Sequence, residues 1–340
     1  MRRRGAVPEN DMRNLELAKR GAEIVTNDWM QVRSGESVVI VTDEEHIREL
    51  ELVKQQMESV GAVVELEMRP RDDTRFVGLL DQDHDGVVDD YDVIIGATNY
   101  SIVTKPAVKV AVRSGARFLS LPMSTNDDRS ILEYDFLTMD PQKSRAVAQE
   151  LLAFIKGAEH LRVTTKLGTD LRFRKIGREA SYFNGMAKDG RGFASSSFEV
   201  YVPIEEDQTS GTGVLDGSLG YLGKVDKPFK ILFEGGRITE IEQSPCGTKL
   251  SKYIEDFNDP RMYHTAEFGI GTNSFSHCDG NCYIEDESSY GTFHIGFGRN
   301  IALGGEFEAD GHFDIIFLEP TIYADEQMIM KDGVVVKAAK

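Results

Sequence analysis

Cysteine is scarce in this chain, with Cys246, Cys278 and Cys282 the only three among 340 residues. An odd, small number excludes a disulfide framework and is expected of a reducing compartment. The one close cluster, "HCDGNC" at 277–282, has neither the C-x-x-C spacing of a zinc knuckle nor an evident fourth ligand, so these thiols read as packing or loop residues. Long apolar runs are also missing, since none approaches the roughly 20 residues that span a bilayer. The basic opening "MRRRGAVPEN" is followed by no apolar stretch of the kind a secretory signal carries. A cytoplasmic protein without a membrane partner is expected. Basic excess is absent as well: 39 Lys and Arg face 57 Asp and Glu, for a net charge of −18. That balance argues against nucleic acid as a partner, because phosphate-backbone binding needs a basic surface. No G-x-G-x-x-G or phosphate-binding P-loop follows any strand, and no repeat of solenoid or propeller period is present.

What is present reads as two domains. At 40% apolar residues the chain can build a real core. "LELAKRGAEIVTNDWMQV" places Leu15, Ala18, Ala22, Val25 and Trp29 near helical spacing. "ESVVIVTD" (36–43) is a β-branched strand, and "EEHIRELELVKQQMESVG" a second helix stopped at Gly61. "AVVELEM", "YDVIIGATN" and "RFLSLP" are further strands, with a helix expected in "KPAVKVAVRSGA" between the last two. Such alternation predicts an α/β domain over 1–143 with a doubly wound, mostly parallel sheet. A connecting helix is expected over 144–160. The remainder, 144–340, then reads as a mainly β (α+β) domain, with hairpins around "LRVTTKLGTDLRFRKI" and "KILFEGGRITEIE".

The chemistry concentrates in this second part. His46 and His160 sit on charged helical stretches and are expected at the surface, whereas His264, His294 and His312 adjoin carboxylates and glycines. In "GHFDIIF", His312 and Asp314 are two apart, so both side chains leave the same face of a strand. Two such groups on an otherwise buried strand are costly unless neutralised. A divalent metal would do this, and so would an internal His–Asp hydrogen bond. Glu267 in "AEFGIGTN" and His294 in "TFHIGFG" are comparable polar intrusions into apolar runs. Gly269, Gly271, Gly296 and Gly298 around them would let backbone approach a site closely.

"YVPIEED", "AEFGIGTN", "GTFHIGFGRN" and "GHFDIIF", in this order, resemble the aminopeptidase T family of metallopeptidases. The resemblance implies metal binding by Glu206 (or its neighbour Glu205), Glu267, His294, His312 and Asp314. It also implies two zinc, cobalt or manganese ions clamping a water, with Glu206 as general base for cleavage of an amide or short peptide, and a homodimer. The family's tyrosine after the metal histidine is absent, Ala302 standing there, with Tyr290 a nearby substitute. The chain is similar also to 2,5-dihydroxypyridine 5,6-dioxygenase of the same superfamily, which implies a single Fe(II) held by His264, His312 and Asp314 and a small aromatic substrate.

One further motif stands apart. "DQDHDGVVDDYD" (81–92) follows the calcium-loop pattern through Asp81, Asp83, Asp85 and Asp92, but Asp92 runs straight into the strand "VIIGAT" and no partner loop exists. A solvated turn is the expected reading, with an accessory calcium ion the alternative.

Overall fold

Asn14 starts the first helix by accepting hydrogen bonds from the Glu16 and Leu17 amides, the usual way an N-cap satisfies the first turn. This helix, α1 (Leu15–Glu23), buries Ala18, Gly21 and Ala22. A side chain at Gly21 would sit 2.3 Å from the Leu132 carbonyl, so α1 needs glycine there to pack closely. The expected single α-helix then changes register. Residues Ile24–Trp29 form a π-turn that keeps Val25, Thr26 and Trp29 buried.

The computed structural model describes residues 13–69, 91–102, 112–187 and 192–337. The β-branched run "SVVIVTD" becomes strand β1 (Ser37–Asp43), followed by α2 (Ile47–Ser59), whose Leu50, Val53 and Met57 face the core. Next come β2 (Val63–Arg69), β3 (Val93–Ala97) and β4 (Arg117–Ser120). All pair in parallel in the order β2-β1-β3-β4, so the winding direction reverses between β1 and β3. The helix expected over 105–116 lies largely outside the described residues.

His46 departs from expectation. It is drawn to the carboxyl end of β1, where Nδ1 meets Glu49 Oε1 at 2.6 Å and buried Asp43 lies 3.8 Å from Nε2. Burial, which would lower its pKa, is outweighed by Glu49 and Asp43, and the net shift is upward. A surface role fails because two carboxylates turn towards it.

The connecting helix α3 (Pro141–Ile155) begins three residues before the expected start, where Asp140 caps it and Pro141 fits its first turn. Antiparallel strands follow: β5 (His160–Thr164), β6 (Asp170–Arg174) and β7 (Ser181–Asn184). The short β8 (Phe193–Ser195) returns to the parallel sheet as its fifth strand, beside β4. Beyond it lie β9 (Phe198–Pro203), β10 (Ser210–Leu215), β11 (Phe229–Glu234), β12 (Arg237–Ile241) and α4 (Pro245–Glu255). The chain ends in β13 (Thr265–Gly271), α5 (Tyr283–Ser288), β14 (Thr292–Gly298), β15 (His312–Leu318), β16 (Thr321–Ala324), β17 (Gln327–Lys331) and β18 (Val334–Val335). The β11–β12 hairpin turns through Gly235 and Gly236, with φ of +57° and +76°, as its Glu-Gly-Gly tip suggests.

These strands form two sheets, β12-β11-β10-β6-β5-β16-β17-β18 and β15-β14-β13-β9-β7. They face each other across a phenylalanine core. Phe173 meets Phe268 and Phe293 edge-on at 5.2 and 5.8 Å, and Phe233 stacks near Phe297 at 6.2 Å. Each such buried ring stabilises the fold by about 1.5–3 kcal/mol. The other face of the five-stranded sheet lies under α5, which packs on β9, β13, β14 and β15. The chain is thus a mixed α/β structure with one parallel and two antiparallel sheets, as expected in outline. No helix among the described residues is long and apolar enough to cross a membrane.

Candidate metal centre

Strand alternation builds the site. In β13 ("TAEFGIG") Phe268 and Ile270 enter the phenylalanine core, leaving Glu267, Gly269 and Gly271 on the α5 side. In β14 ("TFHIGFG") Phe293, Ile295 and Phe297 point inward and His294, Gly296 and Gly298 outward. In β15 ("HFDIIFL") Phe313, Ile315 and Phe317 are inward, and His312 and Asp314 outward. Register then matches polar groups with glycines: Glu267 and Asp314 flank Gly296, His312 pairs with Gly298, and His294 pairs with Gly269.

The glycines are spatially required. A Cβ on Gly296 would lie 2.8 Å from Asp314 Oδ1, Glu267 Cβ and His312 Cε1, and one on Gly269 would lie 1.8 Å from His294 Nε2. Close approach is thus made by side chains at Gly269 and Gly296, and by backbone at Gly271 and Gly298, where the Ser289 and Gly311 carbonyls come nearest.

Two groups with metal-ligand spacing result: Glu199, Glu267 and His294, and Glu267, His312 and Asp314. Glu267 belongs to both. His294 Nε2 lies 2.8 Å from Glu199 Oε2, while His312 Nε2 lies 3.3 Å from Glu267 Oε2 and 3.6 Å from Asp314 Oδ1. His312 Nδ1 donates to the Arg299 carbonyl at 2.8 Å, so Nε2 is the nitrogen turned to the cluster. Ser197 Oγ donates to Glu199 Oε1 at 2.7 Å, and the Tyr283 hydroxyl to Asp314 Oδ2. A small cavity above the cluster is lined by Phe183, Ile284 and Leu303 on its apolar side, by Ser101 and Ser195, and by Glu287.

Electrostatics show what the cluster lacks. Asp314 Oδ1 and His294 Nδ1 are buried without hydrogen-bond partners, and Glu199 Oε2 has His294 Nε2 beside it. Burial, with the charge of Glu199 adding, pushes Glu267 up to about 7. Glu287 is driven well above its ordinary range by burial and by Glu199, Asp314 and Glu267. Burial would lower His294, but Glu199, Asp314 and Glu267 outweigh it and push it up to about 9. His312 is raised for the same reason by Asp314 and Glu267. Asp314 alone is held low, since His312 and His294 outweigh its burial. A divalent cation would accept the unpartnered lone pair of Asp314 and take the place of protons these crowded acids hold, so the residues fit a metal.

Of the residues named from sequence, Glu267, His294, His312 and Asp314 come together, and Glu206 and His264 do not. Glu206 accepts from Asn300 Nδ2 and the Glu306 amide at 2.8 Å and from Arg178 at 2.9 Å. His264 donates through Nδ1 to the Glu206 carbonyl at 3.0 Å and packs edge-on against Phe307. Both are tied to one another at the end of β9, where the chain passes Pro203 and leaves the site face. Glu205 binds the Ile176 amide and Arg174 instead. Ala302 lies in a short turn, and Tyr290 accepts from the Val335 amide, away from the cavity. Asp81, Asp83 and Asp85 lie outside the described residues. Asp92 is held by the amide and hydroxyl of Ser37, both at 2.9 Å. Among the described residues no three-ligand group includes Cys278 or Cys282.

Glu199, Tyr283 and Glu287 escaped sequence reasoning. The signal for Glu199 was present, as it is the one acid within "FEVYVP". Tyr283 and Glu287 stand on a six-residue helix too short to show a period, and their segment reads as a loop.

A family model for 2,5-dihydroxypyridine 5,6-dioxygenase (NicX) matches residues 28–337. The structure of 2,5-dihydroxypyridine dioxygenase from Pseudomonas putida KT2440 is similar with a TM-score of 0.78 and 20% identity, over 97% of this chain and 98% of that one. Wild-type AmpT from Thermus thermophilus, an aminopeptidase T, is similar with a TM-score of 0.58 and 14% identity, over 94% and 99%. At these identities the two structures speak for the fold. No curated protein matches the sequence. The four motifs pointed first to the peptidase, whereas the family model is that of the dioxygenase. Matched over nearly its whole length, the chain belongs to the 2,5-dihydroxypyridine 5,6-dioxygenase (NicX) family.

Proposed function

We propose that this enzyme is a metal-dependent ring-cleaving dioxygenase for a small hydroxylated aromatic compound, with Glu267, His312 and Asp314 as its ligand set. The observation that carries this reading is the family match over 28–337. A ferrous ion held there would supply the redox chemistry by which dioxygen is spent on ring opening. The chain's own groups bind and orient. His312 presents Nε2 because Arg299 holds its other nitrogen. Phe183, Ile284 and Leu303 offer an apolar wall to a planar ring and exclude water, and Ser101 and Ser195 offer hydroxyls to its substituents. Glu287, driven well above its ordinary range by burial and the neighbouring acids, places on the cavity a carboxyl that would donate or take back a proton.

A second reading is favoured by one specific feature. Glu267 lies in both ligand groups, and each group holds one histidine and two carboxylates rather than two histidines and one. A carboxylate shared between two ions is the arrangement of dinuclear hydrolases, where paired zinc, cobalt or manganese activates a water for amide cleavage. Metal analysis and oxygen uptake separate the readings. One iron per chain and oxygen consumption with 2,5-dihydroxypyridine support the dioxygenase. Two ions per chain, amide cleavage and no oxygen uptake under anaerobically loaded Fe(II) would overturn it.

A further inference from the structure

We propose that Tyr283 is a positioning residue that decides which oxygen of Asp314 faces the metal, and that Tyr221 holds Tyr283 in place. The inference rests on the metal reading of the β13–β15 cluster and concerns residues outside both ligand groups. Tyr283 donates its hydroxyl to Asp314 Oδ2, whereas Oδ1 is buried, without a hydrogen-bond partner and turned to the side of His312. A carboxylate otherwise rotates freely between one-oxygen and two-oxygen binding. Here one oxygen is engaged and the other is left for an ion, a division of the kind that outer hydrogen bonds impose on metal ligands.

The tyrosine is itself fixed. Its ring stacks on Tyr221 with centroids 4.1 Å apart and planes 26° from parallel. The Tyr221 hydroxyl accepts from the Ser101 amide at 3.0 Å, and its ring meets Tyr100 edge-on at 4.9 Å. Ser101 lines the cavity and follows β3, so this chain of contacts ties Asp314 to the carboxyl end of the parallel sheet. The turn carrying Tyr221 is strapped to β15 by paired backbone bonds between Ser218 and Ile316, at 3.2 and 2.9 Å. Gly220 permits this fit. Its φ is +58°, and a Cβ there would lie 2.6 Å from the Asp314 carbonyl and 3.3 Å from the Tyr283 ring. A tyrosine present only to fill space would need neither the hydroxyl contact nor the second tyrosine pinned behind it.

Tyr283→Phe keeps the ring and removes the donor. Titration of the metal-free full chain with Mn(II) against a chelator should show affinity reduced by about ten- to a hundred-fold. The visible spectrum of the Co(II)-loaded variant should change, reporting altered carboxylate coordination, while the metal-free melting temperature stays near wild type. Tyr221→Leu, which removes the stack but not the donor, should move affinity and spectrum the same way by less, and it serves as the test should Tyr283→Phe not fold. A merely structural role would lower the melting temperature and leave the Co(II) spectrum alone. Wild-type affinity and an unchanged spectrum in both variants would overturn the inference by itself. A wild-type chain that takes up neither ion would overturn the metal reading along with it.

Discussion

Glu206 and Asp314 are both buried, at 6% and 1% exposure, and the chain treats them in opposite ways. Glu206 has a donor for each oxygen: Asn300 and the Glu306 amide on one, Arg178 on the other. Asp314 has one oxygen without a hydrogen-bond partner, with His312 Nε2 the nearest cation at 3.6 Å. A buried carboxylate with every lone pair engaged is complete and needs no ligand. One left half engaged keeps a lone pair free for a ligand. Satisfaction rather than burial therefore separates the structural acid from the candidate ligands, and it removes Glu206 from the site where motif reading had placed it.

The comparison can be broken in several ways. Glu206→Ala should have the largest effect on stability, about 3 kcal/mol in chemical denaturation, because Asn300 Nδ2 and the Glu306 amide lose this acceptor and Arg178 keeps only Glu306 and the Gly304 carbonyl. Metal content per folded chain should not change. If stability held and metal uptake vanished, the two acids would have to exchange roles. Asp314→Ala should behave in the reverse sense. Divalent-ion affinity should drop by about a hundred-fold or more, equivalent to about 2.7 kcal/mol, with a smaller fall in the metal-free melting temperature because His312 and His294 lose a counter-charge. Calorimetric titration beside a thermal melt checks both halves.

A pH series sharpens the contrast at smaller amplitude. Glu267 titrates in the folded chain near 7 rather than 4.5, so between those values the folded state holds a proton that the unfolded state has released. Stability must then fall as pH rises through that window. His294, raised from 6.5 to about 9, extends the decline, because its extra stability is present below 6.5 and is lost as pH climbs to 9. Melting temperature of the metal-free protein should decrease from pH 5 to 9, and saturating Mn(II) should flatten the slope by taking the protons' place. A metal-free melting temperature that rises over this range would contradict the clustering of these acids. The smallest effect belongs to Asp92, whose bonds to Ser37 are exposed. Asp92→Ala should cost about 0.5–1 kcal/mol, and millimolar calcium should not shift the melting temperature. A calcium-dependent rise would restore the accessory ion.

Much of the site was legible because strand alternation is a local property. Glu267, His294, His312 and Asp314 each interrupt an apolar run at the parity that faces away from the phenylalanines, and the glycines across from them stand in the same short motifs. Glu206 was misplaced because the motif continues past Pro203, where β9 ends and alternation no longer tells which way a side chain points. His46 was misread because the carboxylate that buries it, Glu49, sits in a helix whose charges look like a solvated face. The hydrogen bond from Tyr283 to Asp314 spans 31 residues and two elements, and no local pattern carries it.

The fifth parallel strand has a consequence for biosynthesis. Phe193–Ser195 pairs with β4 only after β5, β6 and β7 of the antiparallel part have been made. A nascent chain that has just completed β4 therefore waits some seventy residues for its neighbour, with that strand's edge open to other chains. Expression of a fragment ending at residue 143 should yield a sticky, chaperone-dependent product, whereas the full chain closes this edge for itself.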